Sequence, residues 1–210
     1  MKDVSKKIAG YLLQIKAIKL QPATPFTWAS GWKSPIYCDN RKTLSYPEVR
    51  SFIAESFAER VREYYPDAQY IAGVATGAIA HGMLVADRLG LPFIYVRSGA
   101  KEHGLGNQIE GFYEPGSRVV VIEDLISTGG SSLSAVKALR DAGCEVLGML
   151  AIFTYGFGKA SDSFREISCR LDTLSNYGAL IELALETGYV GETELETLKQ
   201  WREDPSKWGV

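Results

Sequence analysis

Two adjacent carboxylates, Glu123 and Asp124, run directly into small hydroxyl and glycine residues in Val119 to Ser132, VVVIEDLISTGGSS. The apolar residues 119–122 show no polar alternation, as expected of a strand covered on both faces. Ser127, Thr128, Gly129, Gly130 and Ser131 then open a helix. A helix start of this composition offers free N–H groups, hydroxyl donors and the positive dipole end to an anion, and glycine lets the backbone approach a phosphate closely. Carboxylates do not favour a phosphate, but they accept hydrogen bonds from sugar hydroxyls. Neighbouring strand residues face opposite ways, so both acids reach one sugar only where the chain is already turning. The same residues also suit a plain strand–turn–helix joint with solvated acids.

A second group of chemistry-bearing residues follows another apolar run. Arg97, Lys101 and His103 lie in or beside Ser98 to Glu114, SGAKEHGLGNQIEGFYE, a polar, glycine-rich stretch. Connections of that length inside a compact domain are usually functional or disordered. Arginine grips two phosphate oxygens at once, lysine supplies a point charge, and histidine can donate a proton near neutral pH. Taken alone, one lysine and one histidine in such a loop read as solvated bystanders. His81 opens a helix and reads as structural or capping. The chain lacks GxxxxGK[ST], and no GxGxxG follows a strand. Adjacent carboxylates do not flank a glycosidic bond, which argues against a glycosidase pair.

These groups need a scaffold, and the apolar pattern supplies one. Val4, Ile8, Leu12, Ile15 and Ile18 form one helical stripe, with Asp3 as its N-cap. Pro22 to Tyr46 has turn chemistry and short strand-like pieces. Tyr46-Pro47 opens a helix to about Tyr64. Strand and helix patterns then alternate: strand 70–75, helix 78–89, strand 93–96, strand 118–122, helix 131–142, strand 146–153. A strand is expected near 167–171, then helices at about 177–187 and 192–201. Such alternation predicts an α/β fold with a central parallel sheet flanked by helices. In these sheets ligands gather at the carboxyl ends of the strands, where the acids, the small-residue loop and the glycine-rich stretch all fall.

The bulk numbers narrow the function. A chain of 210 residues suits one domain, 46% hydrophobic and 23% charged, and can bury a sizeable core unaided. Its 23 basic and 25 acidic residues give a net charge of -2, against the basic excess of a nucleic-acid binder. Cys38, Cys144 and Cys169 are odd in number and far apart, signalling neither a disulfide framework nor a metal site. The N-terminal segment is too densely charged for a signal peptide, and no apolar run reaches the ~20 residues a bilayer requires. A cytoplasmic protein is expected, binding neither nucleic acid nor membrane.

VVVIEDLISTGGSS resembles the phosphoribosyl-diphosphate (PRPP) signature of type I phosphoribosyltransferases. Three further elements resemble the orotate phosphoribosyltransferases among them. SGWKSPIYCDNR, Ser30 to Arg41, is similar to the element that helps form their orotate pocket. GVATGAIA, Gly73 to Ala80, is similar to their pyrophosphate loop, and VRSGAKEHG, Val96 to Gly104, to their mobile catalytic loop. The resemblance implies one phosphoribosyltransferase domain over 1–210, with an N-terminal hood over about 1–45, a PRPP-binding core over about 66–175 and a long mobile loop. It implies that Glu123 and Asp124 hold the ribose hydroxyls, that Ser127, Thr128, Gly129, Gly130 and Ser131 cradle the 5′-phosphate, and that Leu125 and Ile126 belong to the same PRPP-binding stretch. Ala75, Thr76 and Gly77 form the diphosphate loop. Lys101, His103 and Asp124 are the implied catalytic groups. Arg97 grips diphosphate and reaches into a partner subunit, so the site needs a homodimer. Magnesium is implied, held mainly by substrate rather than by a protein ligand set.

The chain departs from the pattern at Ala29 and Ser98, where many members carry lysine, and in AIFTYGFGK, which lacks an arginine that some members carry. Orotate contacts are therefore expected from Ser127, Lys33, Arg41 and backbone amides. The rival readings are a purine-type phosphoribosyltransferase, disfavoured by SPIYCDNR and KEHG, and a PRPP-sensing regulator. The latter would want a basic face or an added DNA-binding domain.

Overall fold

The structure is a computed structural model that describes residues 2–28, 31–97, 99 and 108–208. Helix α1 (Lys2–Gln14) comes first, followed by β1 (Ile18–Leu20), β2 (Phe26–Thr27), β3 (Lys33–Ser34), β4 (Ile36–Cys38) and a 3₁₀ helix, Asn40–Ser45. Then come α2 (Pro47–Tyr64), β5 (Tyr70–Val74), α3 (Ile79–Leu89), β6 (Phe93–Val96) and β7 (Ile109–Glu110). The chain continues with β8 (Arg118–Ile126), α4 (Gly130–Asp141), β9 (Glu145–Thr154), α5 (Gly158–Glu166), β10 (Leu171–Asn176), α6 (Tyr177–Glu186) and α7 (Glu192–Glu203).

The expected α/β architecture is present. Six strands form one sheet in the order β10-β9-β8-β5-β6-β7, parallel except for the edge strand β7. Val119 and Val121 pack with Val136 and Leu139 of α4, while Val120 and Ile122 pack on the opposite face with residues of α2 and α3. Both faces are covered, which is why β8 reads as unbroken valine and isoleucine. Outside the sheet, β1 pairs with β4 and β2 with β3 in two short antiparallel ribbons.

Several boundaries differ from expectation. Ile18 continues the helical stripe in sequence but belongs to β1, because Lys16 adopts φ 55 and ends the helix. Asp3 lies inside the first turn of α1 and does not precede it. The strand expected near 167–171 begins only at Leu171, as β10; residues 167–170 form the link from α5. Helix α5 buries only Ala160 and Phe164, four residues apart, too sparse a stripe to stand out in the sequence. Strand β8 runs to Ile126, four residues further than its apolar stretch.

The C-terminal helix anchors the ribbons to the sheet. Trp201 of α7 is fully buried and meets Trp28, Tyr155, Phe157 and Tyr177 at centroid distances of 5.6, 5.7, 5.5 and 5.4 Å. Aromatic clusters of this kind contribute beyond their area alone. Trp201→Ala is expected to cost about 3–5 kcal/mol, read as a lower urea midpoint at an unchanged slope.

Candidate active site

The strand–helix junction after Ile122 is not a turn. Strand β8 stays paired with β9 at Glu123↔Ala151, Leu125↔Phe153 and Ile126↔Thr154. Glu123 and Asp124 therefore face opposite sides. Glu123 is 4% exposed and points toward α4, where Oε2 accepts from Ser132 Oγ at 2.8 Å and Oε1 accepts from the Asp124 N–H at 2.9 Å. Burial, followed by the neighbouring Asp124 charge, pushes its carboxyl well above the usual carboxylate range. Asp124 is half-buried on the other face, against Gly77 in the loop that follows β5. A Cβ built on Gly77 would stand 2.3 Å from Asp124 Oδ2; only glycine leaves that carboxylate its place.

Beyond Ile126, the half-exposed Ser127 and Thr128 lead to Gly129, whose φ of 86 is a conformation few other residues adopt. Gly129 is the N-cap of α4 and brings no side chain to cap it. The first-turn N–H groups of α4 are left for an external acceptor, and Gly130 and Ser131 are exposed beside them. The arrangement suits a phosphate.

On the adjoining strand, β5 ends at Val74 and the loop Ala75, Thr76, Gly77 carries the chain to α3, with a cis bond between Ala75 and Thr76. The Ala75 N–H donates to Val96 O at 2.8 Å, tying this loop to the end of β6. Arg97 follows β6 directly. Its N–H donates to Gln108 O at 2.9 Å, and Gln108 Nε2 donates back to Arg97 O at 2.8 Å. This pair clamps the two roots of the glycine-rich stretch. Arg97 Nη1 lies 3.5 Å from Glu110 Oε1, an ion pair without hydrogen-bond geometry. Lys101 and His103 lie outside the described residues.

Among the expected base contacts, Arg41 sits where the Asp124 charge reaches it, although its guanidinium is held by Asp39, with Nε donating to Oδ1 at 2.7 Å. Lys33 is exposed on β3 and donates to Thr27 Oγ1 at 2.9 Å. The structure also places at the site three residues that sequence reasoning assigned no part in it: Asn40, Thr43 and His81, all buried. Asn40 Nδ2 donates to the Asp124 carbonyl at 2.6 Å. The only signal for it was the polar DNR tripeptide after β4, where Arg41 drew the assignment.

His81, in the first turn of α3, lies 3.1 Å through Nε2 from Thr43 Oγ1. The Thr43 hydroxyl spends its proton on the Asn40 carbonyl at 2.6 Å. Nε2 must therefore carry a proton and donate, which leaves Nδ1 as a bare acceptor, buried and without a partner among the described residues. Burial lowers the imidazole to about 4, against an opposing pull from the Asp124 charge. The native state then refuses a proton that the unfolded chain accepts. The contribution of His81 to stability is intact above pH 6.5 and is lost as pH falls toward 4, by about 3 kcal/mol at most. Glu123 acts in the opposite sense, weakening the fold as pH rises. The expected result is that His81→Gln flattens the loss of melting temperature between pH 6.5 and 4.5; an unchanged acid slope would contradict it.

The model of the phosphoribosyl transferase domain family matches residues 43–186. The chain belongs to that family. This phosphoribosyltransferase is 59% identical over 210 residues to the orotate phosphoribosyltransferase of Porphyromonas gingivalis, covering all of both chains. It is 56% identical over 207 residues to that of Listeria monocytogenes, covering 99% of each. Among solved structures, the orotate phosphoribosyltransferase of Aeropyrum pernix superposes with TM-score 0.76 at 28% identity, over 88% of this chain and 99% of that one. Leishmania donovani UMP synthase gives TM-score 0.80 at 25% identity over 95% of this chain, which spans 42% of that longer chain.

No helix among the described residues is long and apolar enough to cross a membrane. No group of three or more His, Cys, Asp or Glu among them stands together as a metal site. A hard dication at the site would find the Asp124 carboxylate there and would take its other oxygens from substrate and water.

Proposed function

We propose that this phosphoribosyltransferase moves ribose 5-phosphate from PRPP to orotate, giving orotidine 5′-monophosphate and diphosphate for pyrimidine nucleotide synthesis. The carrying observation is the convergence of the uncapped α4 N-terminus, the Asp124 carboxylate and Gly77 at one end of the sheet. The orotate assignment rests on the full-length similarity to orotate phosphoribosyltransferases.

The 5′-phosphate sits on residues 127–131, where backbone N–H groups and the Ser127, Thr128 and Ser131 hydroxyls meet it. Leu125 is half-buried beside them, and Ile126 supports the loop from within the core. Asp124 accepts from the ribose hydroxyls and fixes the sugar. Glu123 supports this from behind the strand, through the Asp124 N–H. Ala75, Thr76 and Gly77 line the diphosphate. A ring nitrogen of orotate gives up its proton to water and forms a bond to ribose C1 as the bond from C1 to the diphosphate oxygen breaks, and the electron pair leaves with diphosphate. Arg97, Lys101 and His103 meet that growing negative charge. In this reading Arg97 serves the neighbouring site of a homodimer, and Lys33, Arg41 and Ser127 meet the base. Magnesium, when bound, neutralises diphosphate and favours its departure. Most of the catalysis is then positioning and charge stabilisation. The protein acts in the cytoplasm on small molecules.

A panel with PRPP and magnesium tests the reading against orotate, uracil, hypoxanthine, xanthine and adenine. Orotate alone should turn over. Turnover of a purine without turnover of orotate would overturn the base assignment, while a salt-dependent shift with RNA or DNA would favour a regulator.

A further inference from the structure

Asn40 joins both walls of the site and belongs to neither. It is 1% exposed and opens the 3₁₀ helix, 84 positions from Asp124 in sequence. The pairing of β5 with β8 runs from Tyr70↔Val119 to Gly73↔Ile122. Past that point β5 departs into the diphosphate loop while β8 continues to Ile126. Asp124 therefore stands on a stretch of β8 that β5 no longer flanks, and its carbonyl accepts from Asn40 Nδ2 at 2.6 Å. The orientation of the amide follows from the Asp124 carbonyl, which can only accept and so requires Nδ2, while at the other end Asn40 Oδ1 accepts from Cys38 Sγ at 3.3 Å. The Asn40 carbonyl accepts from Thr43 Oγ1, which accepts from His81 in the first turn of α3. That turn follows Gly77, whose Cα side the Asp124 carboxylate fills.

We propose that Asn40 is a positioning residue, whose amide sets the place of Asp124 against the diphosphate loop and so tunes how the site grips PRPP. The inference rests on the reading of Asp124 as the ribose ligand. A buried hydrogen bond of this kind, once broken, leaves the Asp124 carbonyl without its donor. The carboxylate one side chain away then loses its fixed origin.

The test is a double-mutant cycle of Asn40→Ala and Asp124→Asn, read as kcat/KM for PRPP and as calorimetric affinity for PRPP with magnesium. Asn40→Ala should lower both by about tenfold when Asp124 is present, and by less than about twofold when it is replaced, because neighbouring groups acting through one another are not additive. KM for orotate should stay within about twofold of wild type. Asn40→Asp keeps the shape but presents an oxygen to the carbonyl, so it should do no better than Asn40→Ala. Equal losses in both backgrounds, wild-type behaviour of Asn40→Ala, or restoration by Asn40→Asp would each overturn the role. Where Asp124→Asn abolishes turnover, the affinity cycle decides. Failure of the wild type to use orotate would sink the base assignment and leave the PRPP cycle readable.

Discussion

Gly77→Ala should lower kcat/KM for PRPP by about 10²-fold while the melting temperature moves by only a few degrees. The added methyl would stand 2.3, 2.5 and 2.7 Å from Oδ2, Cγ and Oδ1 of Asp124, well inside contact distance. Gly77 has no positive φ to protect, so the backbone itself accepts alanine. What must yield is the tip of one half-buried side chain, and rotating a carboxylate aside costs the fold little. It costs the site much more. A shift of about 1 Å in a group that positions substrate can remove about 10²-fold in rate. Steady-state kinetics with varied PRPP, alongside a thermal melt, separates the two effects. A variant that melts like wild type and turns over like wild type would remove Asp124 from the sugar-binding role.

Lys101→Ala should lower kcat by about 10²–10³-fold, the usual loss when a donor aimed at developing charge is removed. Lys101 belongs to the stretch whose two roots are clamped by the Arg97–Gln108 pair beside the diphosphate loop. In the proposed mechanism its cation meets diphosphate as it departs, when its negative charge is greatest, so the loss should fall on kcat more than on KM for PRPP. Single-turnover measurements at saturating PRPP isolate that step. Near-normal kcat would end the catalytic role of Lys101 and leave Arg97 as the principal cation of this region.

Much of this molecule was legible in its residues because the physics was local. Uninterrupted Val119 to Ile122 signals a strand covered on both faces, and STGGSS signals a helix start open to an anion; neither inference needs a distant partner. The resemblance carried by Ser30 to Arg41 and Val96 to Gly104 pointed to the orotate phosphoribosyltransferases, which the full-length relatives also are. Where expectation and structure part, the deciding contact comes from elsewhere in the chain. Ile18 fits the α1 stripe but pairs with Cys38 of β4, and a strand partner outweighs a helical period. Helix α5 was missed because Ala160 and Phe164 become a buried stripe only when α4 and the sheet lie beneath them.

The acidic pair shows the division most clearly. Its sequence determined that two carboxylates stand beside a small-residue helix start. Only the tertiary structure decided that they part, Glu123 to Ser132 of α4 and Asp124 to Gly77, because pairing with β9 keeps β8 extended through both. Asn40, 84 residues away, holds the second of them by its carbonyl. A hydrogen bond across that separation leaves no periodicity and no spacing to read. It exists because the chain after β4 folds back over the end of β8, where the flanking strand has turned away.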